Sequence, residues 1–176
     1  MPDDEYEALR LKCRPKKIRV LLVAESRPIG GTFFYAGNSH LARYTEQAFR
    51  LAYDIPAMTM TSFLDGFKAA GCYLEDLCAE PVNQIKNHAL RRAEWKRGVP
   101  HLLKRLESAS PLAIVPIHKG SERYVRQAAE EAGLLHLVKQ AIPYPGMGNH
   151  PRYIAELSPM IRELREASIL PACFRS

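Results

Sequence analysis

Apolar positions along the chain fall into two patterns. Four short segments are apolar at almost consecutive positions: 18–24 (IRVLLVA), 72–78 (CYLEDLC), 112–118 (LAIVPIH) and 137–145 (LVKQAIPYP). Runs of this kind suit strands buried on both faces, as in the middle of a parallel sheet. Between them apolar residues recur at helical spacing. Residues 3–12 read as a short amphipathic helix. Residues 39–52 read as a second, with Leu41, Tyr44, Ala48 and Leu51 on one side and Ser39 as N-cap. Residues 61–71 predict a helix capped by Thr61 or Ser62 and ended by Gly71. Residues 82–108 are mostly helical, with a break expected near Pro100. Residues 121–133 and 152–167 complete the set.

Strands alternating with helices predict an α/β protein. The expectation is a three-layer α/β/α sandwich around a short, mainly parallel four-stranded sheet. At 176 residues the chain makes one domain, 1–176. Sheets of this class bind ligands beyond the carboxyl ends of their strands. Glu25, Asp76, His118 and the loop PYPGMGNHPRY (143–153) all follow or end strand segments, so the fold directs them to one rim.

Composition changes this picture little and charge changes it more. Apolar residues make up 47% and charged residues 25%, an ordinary globular balance. No stretch approaches the roughly 20 apolar residues of a membrane span, and the N-terminus is too charged for a secretory signal. A cytoplasmic location is expected, nucleoid-associated if the source is bacterial. The net charge is +6, with much of the surplus in residues 86–105. That run is either a polyanion-binding face or a solvated helix face. The four cysteines form no CxxC pair, which argues against a zinc ribbon or a disulfide framework.

The rim itself carries a recognisable set of chemical groups. Glu25 is a carboxylate at the end of a buried strand, with Ser26 and Arg27 behind it. Phe33, Phe34 and Tyr35 offer flat faces, and Gly30, Gly31 and Gly37 allow close backbone approach. Asp76 lies within an otherwise neutral strand. Asn149 and His150 stand just ahead of a helix start, where free N–H groups suit anions. Carboxylate, aromatic platform, amide or imidazole donors and a basic surround suit a flipped base. They suit a nucleotide hydrolase or a nucleoside-binding module equally, so the residues alone indicate a nucleotide or nucleic-acid ligand at the strand ends.

The order of the segments AESRP, FFYAGNS, YLEDLC and PYPGMGNHPRY, over residues 18–164, resembles the uracil-DNA glycosylase superfamily. The resemblance implies a uracil-DNA glycosylase-like fold and a monofunctional enzyme of base-excision repair that hydrolyses the N-glycosidic bond of uracil in DNA. It implies Glu25 at the sugar, and Asn149 and His150 near the leaving base or phosphate. Phe34 or Tyr35 would stack on the base, with Asp76 at its edge. Ser26, Arg27, Met147 and Arg152 complete the substrate-binding set, Met147 as a wedge at the loop tip. Three positions depart from the superfamily pattern, the first being Ser26, which stands where one branch has its water-activating aspartate. Asp76 stands where an asparagine reads uracil, and Ile142 stands where a histidine donates to the base. The cysteines do not match the superfamily's iron–sulfur pattern, so neither cofactor nor metal is expected. The expected partner is DNA containing uracil, with no membrane and no obligatory protein partner, and the protein is expected to be a monomer. Two alternatives stand beside this reading: a DNA-binding protein on the same fold without turnover, and a nucleotide or nucleoside hydrolase.

Overall fold

Strand β1 (Val20–Ala24) is the centre of the molecule, flanked by β2 (Cys72–Asp76) and β3 (Ala113–Pro116) in the order β2-β1-β3. Both pairings are parallel, with Val20 opposite Cys72 and Ala113, and Ala24 opposite Asp76. Every residue of the three strands is buried. The computed structural model describes residues 3–175. Its six helices are α1 (Asp3–Lys12), α2 (His40–Tyr53), α3 (Met60–Ala69), α4 (His88–Ala109), α5 (Glu122–Glu131) and α6 (His150–Glu166). No helix among the described residues is long and apolar enough to cross a membrane.

Among the described residues the sheet has three strands, not four. Residues 137–145 run beside β3 but touch it at one bridge, Ile114 to Val138. Two backbone bonds follow, from Lys139 N–H to the Ile114 carbonyl (2.8 Å) and from Ile142 N–H to the Pro116 carbonyl (2.9 Å). Prolines prevent a full ladder. Pro116 has no N–H to return to this segment, and Pro143 and Pro145 have none to give. On the opposite edge a side chain takes the place of a strand: the Tyr35 hydroxyl accepts from Leu74 N–H (2.7 Å) and donates to the Leu74 carbonyl (2.9 Å).

The helices differ from expectation in their caps and buried faces. Ser39 does cap α2, accepting from Ala42 N–H at 3.1 Å. Its buried stripe, however, is Leu41, Thr45, Ala48, Phe49 and Ala52, and Leu51 is exposed. Thr59, not Thr61 or Ser62, caps α3. Helix α4 runs unbroken through Pro100. Proline deprives the Lys96 carbonyl of its helical partner, but both residues lie on the exposed face, where water can replace it. Helix α2 packs on α6 and α4 on α5. A buried bond between the Thr45 and Tyr153 hydroxyls (2.8 Å) ties the first pair.

Gly98 brings α4 onto the chain just past β2, because a Cβ there would lie 2.5 Å from the Leu77 carbonyl oxygen. Helix propensity alone favours alanine over glycine by about 1 kcal/mol. The backbone contact reverses the sign, and Gly98→Ala is expected to destabilise the protein by about 1–3 kcal/mol. Urea denaturation measures it, and a stabilised variant contradicts this packing.

Candidate functional site

The parallel register sends the ends of β1 and β2 to the same side, and the backbone stays paired beyond them. Leu77 N–H bonds the Ala24 carbonyl and Cys78 N–H the Glu25 carbonyl, both at 2.9 Å. Glu25 is only 8% exposed. Its Oε1 accepts from Arg91 Nε and Trp95 Nε1, each at 2.6 Å, and its Oε2 accepts from Arg91 Nη2 at 2.5 Å. Arg91 and Trp95 are one turn apart on α4, so a single helix face supplies both donors. Hydrogen bonding to Glu25 raises the already high pKa of Arg91. The pair is thus a fixed ion pair with a planar, two-point fit.

Beyond β3, His118 packs its ring edge-on against Trp95, with centroids 5.6 Å apart. Ser121 N–H lies 3.1 Å from His118 Nδ1. A backbone N–H can only donate, so Nδ1 accepts and the neutral ring carries its proton on Nε2. Burial lowers the His118 pKa and outweighs the attraction of Glu25. A neutral imidazole with an Nε2–H donor follows.

Two neighbouring cavities open at these strand ends. The outer one, about 450 Å³, is lined by Glu25, Arg91, His118, Tyr144, Met147 and Asn149 among others. The inner one, about 20 Å³, lies among Arg27, Phe33, Phe34, Leu74, Asp76 and Tyr144. Ser26, Pro28 and Tyr144 belong to both walls.

The structure gathers some of the expected site residues and disperses others. Glu25, Ser26, Met147 and Asn149 line the outer cavity, and Ser26, Arg27, Phe34 and Asp76 the inner one. The Ser26 hydroxyl is occupied, accepting from Val82 N–H at 3.1 Å. Met147 is fully exposed at the loop tip, in a left-handed conformation (φ 52°). Tyr35 is 4% exposed and spends its hydroxyl on Leu74, which places it in the core, outside both linings. His150 is absent from both linings as well and stacks on Tyr44, centroids 4.8 Å apart. Arg152 pairs with Glu156 at 2.6 Å. Gly30 and Gly31 have positive φ in open space, so they serve the turn. Ile142 is core.

Asp76 is held from outside the cavities. Arg10 of α1 donates to Asp76 Oδ2 (2.9 Å) and Glu75 Oε2 (2.7 Å), and Arg105 of α4 donates to the Asp76 carbonyl (2.7 Å). Arg91 and Arg105 therefore turn inward, whereas Lys86, Arg92, Lys96, Arg97 and Lys104 of the same basic run are exposed. The run is in part a polar face and in part the counter-charge of the strand ends. Arg91, Trp95 and Tyr144 were not identified from the sequence, and His118 entered only as a strand-end residue. The one available signal was Arg91 four residues before the single tryptophan, on a helix that follows a strand-end carboxylate. Among the described residues no group of three or more His, Cys, Asp or Glu side chains is placed to hold a metal ion. Compared with models of protein families and with curated proteins, the chain matches none.

Burial raises the Asp76 pKa from the model-compound 3.8 to about 6, against the opposing pull of Arg10. The folded state then holds this proton more tightly than the unfolded chain. Its contribution to stability is present at low pH and declines as pH rises through the window between those two values. Asp76→Asn keeps an oxygen for Arg10 and removes the titration. It is expected to abolish a pH-dependent component on the order of 3 kcal/mol. Urea denaturation across that window checks it; identical profiles for both proteins contradict the assignment.

Proposed function

We propose that the protein is a DNA glycosylase that excises uracil from DNA, on a glycosylase-like α/β/α arrangement of its helices and sheet. One observation carries the reading: a carboxylate-and-imidazole cavity at the end of the central strand adjoins a smaller cavity walled by Phe34 and Asp76. This is the division of labour that excision requires. The base enters the aromatic side, and its sugar stays beside Glu25.

Hydrolysis of the N-glycosidic bond adds a water oxygen to C1′ and breaks the C1′–N bond. The base leaves with the bonding pair and takes up the proton lost by water. Glu25, held in place by Arg91 and Trp95, opposes the positive charge that grows on the sugar. His118 donates from Nε2 toward the oxygen of the departing base, replacing the histidine that Ile142 displaces from the last loop. Asp76 bears on a second departure, the asparagine it stands in for. A carboxyl titrating near 6 spends part of its time protonated near neutral pH, and in that form it can donate to a base oxygen as an amide does. Phe34 is the stacking wall, and the exposed cations of α4 lie along the phosphate backbone.

The bidentate clamp on Glu25 favours a second reading, a DNA-binding protein on this fold without turnover, because both carboxylate oxygens are already engaged. Release of free base separates the two. Oligonucleotides carrying uracil, hypoxanthine or a thymine mismatch are incubated with the protein and the products resolved. Uracil release is expected, and no product from any substrate sinks the glycosylase reading. Glu25→Gln is expected to lower turnover about a hundredfold or more while leaving DNA affinity within about threefold. Equal loss of both makes Glu25 structural. Because the protonated form of Asp76 reads the base, kcat/KM for uracil is expected to fall as pH rises above about 6. Asp76→Asn flattens that fall, and an unaltered profile removes Asp76 from recognition.

A further inference from the structure

We propose that Tyr144 is the specificity-determining residue of this site: its ring fills the entrance to the inner cavity in the free protein, and a nucleobase must displace it to reach Phe34 and Asp76. The proposal rests on the glycosylase reading and adds the class of substrate that can enter.

Of the three residues shared by the two cavities, Ser26 is fixed by its bond to Val82 N–H and Pro28 is a rigid ring. Tyr144 is the only large rotatable side chain at the boundary. It is 36% exposed and, among the described residues, makes no hydrogen bond and no ring contact. Its neighbours, by contrast, are fixed. Pro143 and Pro145 are buried, and Ile142 N–H is tied to the Pro116 carbonyl. Movement at this point is therefore a rotation of one side chain on a fixed backbone rather than the opening of a loop. The ring also lies over Gly146, where an added Cβ would come within 3.0 Å of it. Burial, then the charges of Asp76 and Glu25, raise the Tyr144 pKa, which is consistent with a phenol between the two carboxylates.

A cavity of about 20 Å³ accommodates a single water and is far too small for a base. Turning Tyr144 outward joins it to the outer cavity. A ligand that needs the displaced ring binds with its affinity reduced by the fraction of molecules already open. A polynucleotide has phosphate contacts whose binding energy can drive the displacement, whereas a free base or nucleoside has none. The partition thus selects bases presented on a nucleic-acid strand over the same bases free in solution.

The test is calorimetric titration of free uracil into wild-type protein, Tyr144→Ala and Tyr144→Phe, with uracil release from the oligonucleotide measured alongside. Tyr144→Ala is expected to bind free uracil about tenfold or more tightly than wild type, and Tyr144→Phe, which keeps the ring, to stay within about threefold. Melting temperatures establish that the variants fold, and Tyr144→Leu repeats the comparison if the alanine protein does not. Equal binding by all variants, undetectable binding included, overturns the proposal. A gain in Tyr144→Ala with no base release by wild type supports the partition and overturns the glycosylase reading. Release by wild type with no gain in Tyr144→Ala does the reverse.

Discussion

Carboxylates at the ends of buried parallel strands need cations within hydrogen-bond reach, and this chain brings them from two helices. Glu25 takes Arg91, while Glu75 and Asp76 take Arg10, with Arg105 beside them. Isolated charges so deeply placed cost several kcal/mol each unless they are paired or lose their charge. The pairing fixes where α1 and α4 lie. Arg91, Trp95, Gly98, Leu102 and Arg105 fall on one face of α4, spaced by three or four residues, and that face meets the strand ends. Gly98 allows the close approach, and Trp95 reaches from this face to both Glu25 and His118.

The same constraint shapes the site. With its oxygens held by Arg91 and Trp95, the Glu25 side chain is fixed at the wall of the outer cavity. Burial outweighs the pull of Arg10 on Asp76 and moves its titration toward neutral pH. Tyr144 lines both cavities.

Much of the architecture was legible because it rests on local patterns. The three strands, the Ser39 cap and the glycine after α3 follow from apolar runs and end chemistry. The fourth strand was not legible, because its apolar run looks like a strand while its prolines and Pro116 of β3 deny it a ladder. The continuity of α4 depends on which side of the helix Pro100 faces, and that is decided by packing. Strand-end placement put Glu25, Asp76 and His118 at one end of the sheet, where they line the two cavities. The aromatic triplet divided in a way spacing cannot foresee, with Phe34 at a cavity wall and Tyr35 committed to Leu74. Arg91 was hidden in a basic run because a charge that reaches inward looks the same in sequence as one that reaches outward.

If the two cavities form one base pocket, the sugar sits beside Glu25. A crystal structure with an oligonucleotide carrying a non-hydrolysable deoxyuridine analogue tests it directly. The uracil is expected against Phe34 and Asp76, with the Tyr144 ring turned outward, C1′ beside the Glu25 carboxylate and His118 Nε2 on a base oxygen. A base still stacked in its strand, or one bound away from β1 with Tyr144 unmoved, contradicts it.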